Sequence, residues 1–243
     1  MTTIDTPTPT DALPRKRGRV RRLLCLLLRL MILFVLASVA LVVVYRFVPP
    51  PITLTQASDV LAGRGLARNW VPLSRISPAM ARAAIAAEDA RFCEHHGFDV
   101  RAMEAAARAN AEGRRLRGGS TISQQTAKNV FLWQGRSYVR KGLEAWFTVL
   151  IETIWGKRRI MEMYLNEAET GIGTYGVDAG AQRYFHHGAA TLTVREAAQI
   201  AAVLPLPKKR PAISPTGYVA RYGRRIAARM GVVQRDGLDR CLR

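Results

Sequence analysis

The chain has 243 residues, with 37 Lys and Arg against 18 Asp and Glu and a net charge of +19. That length accommodates one membrane anchor and one medium-sized domain with a real core. The charge points to a polyanionic partner (nucleic acid, an anionic membrane surface or a phosphorylated substrate), while three cysteines without CxxC spacing argue against a structural zinc site.

Residues 1–14 are rich in Thr and Pro and read as disordered. A basic run from Arg15 to Arg22 completes a tail over 1–22. Residues 23–48 are almost wholly apolar, with no charge from Leu30 to Val44, and they span a bilayer if Arg29 snorkels to the headgroups. The basic flank places the N-terminus in the cytoplasm and everything after Pro49-Pro50-Pro51 outside it. Ala37-Ser38-Val39-Ala40 resembles a signal-peptide cleavage site. Leu41-Val42-Val43-Val44 carries the apolar run beyond it, so an uncleaved anchor is expected. That location, and the lack of any RRM, zinc-finger or helix-turn-helix signature, removes nucleic acid from the expected partners.

Residues 49–69 form a connector, 70–235 the main domain and 236–243 a short tail. Ser77-Pro78 opens a helix, with proline at its first position, that an Ala-rich run carries to Phe92. Further helices are expected over 100–116, from Thr121 to about Val130, and over 139–155, 158–165, 193–204 and 215–230. Thr193 with Glu196 caps the fifth of these and Pro205 stops it. Alternating strand patterns are nearly absent, so the expected fold is mainly α.

The segment from Gly118 to Asn129 contains little that would fill a core. Thr121 and Gln124 fit a capping box, and Thr121, Gln124, Gln125 and Lys128 make one helix face polar for two turns. A glycine-flanked helix start with such a face suits an anionic oxygen group. A well-capped surface helix gives the same pattern, and spacing alone supports both.

Two glutamates keep unusual company. Glu88 follows Ala81, Ala84 and Ile85 at helical spacing and so ends an apolar stripe. A carboxylate there loses solvation, its pKa rises, and it becomes usable as a general base or acid near neutral pH. A glutamate at the margin of a core, paired with an arginine, would look the same. Glu144 follows Arg140 and Lys141 by one helical turn, as in a surface ion-pair cluster or in a cationic phosphate clamp held by a carboxylate. The adjacent pairs His95-His96 and His186-His187 do not suggest a metal site. No Ser-His-Asp order stands out, and a transpeptidase-type Ser-x-x-Lys with downstream Lys-Thr-Gly is missing.

Together these segments resemble the glycosyltransferase domain of peptidoglycan-polymerising enzymes, and most closely the monofunctional biosynthetic peptidoglycan transglycosylases. Five blocks carry the likeness, in the family's order, over about residues 70–230. They are Glu88-Asp89-x-x-Phe92-x-x-His95-x-Gly97; Gly118-Gly119-Ser120-Thr121-Ile122-x-Gln124-Gln125 with Lys128-Asn129; Arg140-Lys141-x-x-Glu144-Ala145; Lys157-x-x-Ile160-x-Glu162-x-Tyr164-Leu165-Asn166; and Glu196-Ala197-Ala198 through Leu204-Pro205-x-Pro207.

The resemblance implies a lysozyme-like, all-α domain that joins lipid II units into β-1,4-linked glycan strands and releases undecaprenyl pyrophosphate. Glu88 matches the general base and Glu144 a second essential glutamate at the donor site. Lys128, Arg140 and Lys141 match the contacts to the pyrophosphate, with Ser120, Thr121, Gln124 and Asn129 in the same region. No cofactor is required, although a divalent ion such as Mg²⁺ is compatible with the diphosphate. The implied partners are lipid II, the lipid-linked strand, the membrane and proteins of cell-wall synthesis or division, at the cytoplasmic (inner) membrane. Val130-Phe131-Leu132-Trp133 falls where the family meets the membrane, and contact is expected there.

The chain departs from the family pattern at Glu167, Thr170, Gly180 and Leu206. The rival readings are a lytic enzyme acting on peptidoglycan and a non-catalytic cell-wall scaffold. A sugar leaving group needs no phosphate clamp, and retention of both glutamates argues against a decayed catalyst. Cys93 and Cys241 could pair in an oxidising compartment, although the place of Cys93 five residues after Glu88 disfavours it.

Overall fold

The computed structural model describes residues 16–113, 119–135 and 137–243, with side chains described from residue 20 onward. The chain divides into two compact units, one ending at Leu41 and the other running Val42–Arg243. Helix α1 (Lys16–Phe47) is continuous, and its Val20–Phe47 portion has a mean hydropathy of 2.8 in its 18-residue window. At about 1.5 Å per residue that portion exceeds the roughly 30 Å of a bilayer core. The last turn of α1 belongs to the second unit. Trp155 Nε1 donates to Val42 O at 2.7 Å, Arg159 Nη2 donates to Tyr45 O at 2.8 Å, and Tyr45 stacks on Phe131.

The connector holds α2 (Leu54–Leu61), started by a Thr53–Gln56 capping box, and β1 (Ala67–Arg68). After a 3-10 turn at Leu73–Arg75 come α3 (Pro78–Glu88), α4 (Val100–Ala111), α5 (Ile122–Phe131), α6 (Tyr138–Ile154) and α7 (Lys157–Glu167). Strands β2 (Glu169–Gly171) and β3 (Thr174–Tyr175) precede α8 (Val177–Phe185), α9 (Val194–Val203), α10 (Gly217–Arg235) and a 3-10 turn at Arg240–Leu242. β3 lies between β1, its parallel neighbour, and β2, its antiparallel one. Strands of two or three residues are too short to show alternation, which is why the sequence did not reveal them. The fold is mainly α, as expected.

α3 ends at Glu88 instead of running on to Phe92. Asp89 leaves helical geometry (φ −157°, ψ 77°), and its carboxylate turns to His95 and to the backbone of Ile122. α4 ends at Ala111, and the expected continuation over 114–116 lies outside the described residues, as does Gly118. α5 packs on α6 and α7, while α3, α9 and α10 pack on one another. Ile85, Phe92, Ile122, Ile160, Tyr164 and Ile200 are among the buried side chains of their shared core.

Two expectations are corrected here. Val130, Phe131 and Leu132 are core residues, with Phe131 stacked face to face on Phe147 at 4.4 Å, and only Trp133 of that run is exposed. Cys93 and Cys241 form a disulfide, with Cα atoms 5.5 Å apart. Because α3 stops at Glu88, the following turn carries Cys93 out of the cleft lining and against the 3-10 turn at 240–242.

The departures at 167, 170 and 180 have structural partners. A β-carbon on Gly180 would lie 2.8 Å from Thr170 Oγ1, so the glycine makes room for the threonine. Glu167 is buried between Gln56 Nε2 at 2.6 Å and Arg68 Nη2 at 2.7 Å, and Arg68 also holds the carbonyls of Pro50 and Pro51. Burial outweighs these attractions and raises the Glu167 pKa from 4.5 to about 7. The folded state therefore keeps a proton that the unfolded chain releases, and stability is lost as pH rises through that window. In Glu167→Gln this loss disappears, so the variant-minus-wild-type difference in Tm grows from about pH 5 to about pH 8. Parallel melting curves across that range would contradict the placement of the charge.

Candidate active site

Glu88 reaches the site as the last residue of α3, below the apolar stripe of Ala81, Ala84 and Ile85. Its carboxyl is partly open to a cleft of about 440 Å³ that Asp89, Asp99, Arg101, Ser120 and Thr121 also line. Burial raises its pKa, and a hydrogen bond from Gln125 Nε2 at 2.9 Å, with the charges of Arg210 and Lys128, partly offsets this. No arginine forms an ion pair with Glu88 among the described residues, so the core-margin pair considered above is not formed.

The turn after Glu88 is held by a network that the sequence did not disclose. Asp89 accepts from the Ile122 N–H at 3.0 Å, at the start of α5, and contacts His95 Nε2 at 2.9 Å. The Gly97 N–H donates to His95 Nδ1, which leaves the Nε2 hydrogen for Asp89. Thr121 Oγ1 donates to Gly97 O at 2.6 Å. Gly97 is the required residue here, with φ +91° and a would-be β-carbon 2.7 Å from Thr148. Beneath the turn, Lys157 Nζ donates to His95 O and Glu152, and lies 4.5 Å from the Phe92 ring centroid. The spacing of the first block was visible in the sequence, but nothing there pairs Asp89 with α5 or Lys157 with the turn.

The second block divides its labour. Thr121 and Gln124 form the expected capping box, and both side chains are buried. Their polar atoms serve the helix start, so Gln125, not Gln124, reaches Glu88. Ser120 is exposed and accepts from Lys141 Nζ at 3.3 Å. Lys128 is half-buried, and burial lowers its pKa, with Arg140 and Lys141 pushing the same way against Glu144 and Glu88. Asn129 is half-buried one residue further along the same helix.

Glu144, on α6, is buried and receives Arg140 Nη1 at 2.7 Å and Lys141 Nζ at 2.5 Å. Lys141 is about half exposed, whereas Arg140 is buried and its Nε has no hydrogen-bond partner among the described residues. One buried carboxylate thus orders one guanidinium and one ammonium group whose charges reach Lys128. Arg210, which the sequence did not single out, lies in the loop after α9, and its charge favours the ionised form of Glu88. It donates to Ala202 O at 2.8 Å and lies over the rings of Tyr218 and Tyr222. Among the described residues no group of three or more His, Cys, Asp or Glu converges to hold a metal ion.

In the fourth and fifth blocks, Asn166, Glu162 and Glu196 make bonds that hold the fold. Asn166 bonds the backbone of Val71 in both directions, and Glu162 accepts from the Leu73 N–H, which stitches the segment before α3 to α7. Glu196 completes the cap of α9 and contacts His187 at 3.1 Å.

A glutamate whose pKa burial raises thus lies within electrostatic reach of Lys128 and Arg210. The family described as transglycosylase matches residues 56–231. The chain is 57% identical over 224 residues to a protein of Caulobacter vibrioides named biosynthetic peptidoglycan transglycosylase, covering 92% of this chain and 98% of that one. It is 51% identical over 208 residues to the Rhodospirillum centenum protein of the same name, covering 85% and 90%. A Bdellovibrio bacteriovorus protein of that name is 46% identical over 220 residues, covering 88% of each chain. Matched over most of its second unit, and similar along most of its length to these relatives, the chain belongs to the transglycosylase family.

Proposed function

We propose that the protein polymerises lipid II into β-1,4-linked peptidoglycan strands and releases undecaprenyl pyrophosphate. The observation that supports this reading is a desolvated Glu88 that feels the charge of Lys128, in a cleft whose Ser120 accepts from Lys141 of the cluster ordered by Glu144. Glu88 accepts the proton of the acceptor sugar's 4-hydroxyl as that oxygen attacks the anomeric carbon of the donor strand. The bond from that carbon to the diphosphate breaks from the opposite face, inverting α to β. The leaving group is already a stable anion, so fixed cations at Lys128, Arg140 and Lys141 serve it better than a protonated acid would. No step passes through a metal.

The apolar helix Val20–Phe47 suits an anchor in the cytoplasmic membrane, with the N-terminus inside and the catalytic unit outside, where its lipid-borne substrate lies. Gel analysis of the products from labelled lipid II tests the function. Long strands are expected, and shortening of preformed strands with no polymer made would assign a lytic enzyme instead. Lys141→Ala is expected to raise the KM for donor by about tenfold, through loss of a charge-assisted contact, and to change the acceptor KM much less. Equal changes would remove Lys141 from the pyrophosphate site.

A further inference from the structure

The Cys93–Cys241 disulfide has no part in the reading above, yet it closes a ring around the helix that delivers Glu88. Arg82 lies in the middle of α3 and donates through Nε to Asp239 at 2.9 Å and through Nη1 to Gln234 at 3.1 Å. Arg243 contacts the other oxygen of Asp239 at 3.1 Å. Two residues past Asp239, Cys241 bonds to Cys93, and its N–H points at the Cys93 sulfur at 3.3 Å. Cys93 sits on the same turn as Asp89, His95 and Gly97, whose bonds to α5 shape the rim of the cleft. The path therefore runs from Arg82 along α3 to Glu88, through the turn to Cys93, across the disulfide and back through Asp239.

We infer that Cys93 and Cys241 form a redox-sensitive positioning element: the oxidised pair fixes the turn that seats Glu88, and its reduction lowers turnover. This rests on Glu88 acting as the base. The element operates by thiol–disulfide exchange. A dithiol such as dithiothreitol gives up two electrons and two protons, the S–S bond breaks, both cysteines become thiols, and the reductant closes its own disulfide. An extracytoplasmic setting favours the oxidised form.

The groups that face Glu88 come from several elements: Asp89 on the turn, Gln125 and Lys128 on α5, Tyr164 on α7, Arg210 after α9 and Tyr222 on α10. Of these only Asp89 belongs to the turn that the disulfide restrains. Loosening that turn admits water to the carboxyl while the other neighbours stay in place. Water favours the ionised form, so the Glu88 pKa moves down toward its ordinary value.

The test uses full-length protein carrying Cys25→Ser, so that the pair supplies every thiol. Intact mass after alkylation is expected to show no label on the oxidised protein and a label on both cysteines after dithiothreitol. Rates on labelled lipid II are then followed against pH for the oxidised form, the reduced form and Cys93→Ser/Cys241→Ser. Both unbridged forms are expected to lose about three- to tenfold in kcat with little change in KM, as for a misplaced base. Their acid limb of kcat moves to lower pH, and amide exchange over 89–97 quickens more than in α9. Unpaired cysteines in the oxidised protein, or a lower Tm with rates and acid limb unmoved, overturns the inference. If all three forms are inactive, the polymerase reading fails, and unchanged exchange over 89–97 on reduction then overturns the inference separately.

Discussion

Glu88→Gln is expected to abolish glycan polymerisation in a protein that still folds. The amide is nearly isosteric and can still meet Gln125, so the cleft keeps its shape, but it cannot accept a proton from the acceptor hydroxyl. Loss of a positioned base corresponds to roughly 10²–10⁴ in kcat. Stability should hold or rise, because the substitution removes a carboxylate that burial disfavours in its charged form. The wild-type pH profile carries the same signature. The base works deprotonated, so kcat falls as pH drops through a Glu88 pKa lying above the ordinary glutamate value, and the acid limb stands higher than a solvent-exposed glutamate would place it. Circular dichroism and thermal melting establish the fold, and a lipid II gel establishes the activity. Full polymerisation by a folded Glu88→Gln protein would sink the assignment.

Glu144→Ala is expected to remove activity and also to destabilise the domain by about 3 kcal/mol, the scale for stranding a buried charge. Its carboxylate is buried and receives both Arg140 and Lys141. Without it Arg140 remains buried with no counter-charge, whereas Lys141 is exposed enough for water to replace the lost contact. Stability and function separate in the double variant Arg140→Leu/Glu144→Leu. Removing both charges together recovers most of the stability, because the desolvation penalty goes with them, while the diphosphate loses its clamp and activity stays absent. A double variant that polymerises normally would show that Arg140 and Glu144 only stabilise the helix. Denaturant titration and the lipid II gel, run on the same preparations, measure the two effects.

The α-helical elements were legible because their signals are local. The Thr121–Gln124 and Thr193–Glu196 boxes, proline at the start of α3 and the apolar run of α1 each act within one or two turns of chain. Glu88 and Glu144 were legible for a related reason, since their neighbours lie three or four residues away on the same helix. The end of α3 was not, because the residue that stops it, Asp89, is held by His95 and by a backbone N–H from a distant helix. Gln124 and Gln125 share the polar stripe equally in the sequence. Only the packing of α5 turns one into the helix cap and the other toward Glu88.

The sequence by itself determined the long apolar N-terminal helix, the mainly α domain and the helical neighbours of Glu88 and Glu144, because periodicity, capping and desolvation along one helix face are short-range effects. The tertiary structure alone decided which groups meet across the chain. It brought Arg210 within electrostatic reach of Glu88, closed Cys93 onto Cys241 over a separation of 148 residues, buried Phe131 against Phe147, and gave Glu167 its partners in the connector. Such pairings depend on how whole helices pack, and the free energy of that packing is spread over the core without being written in any single stretch of residues.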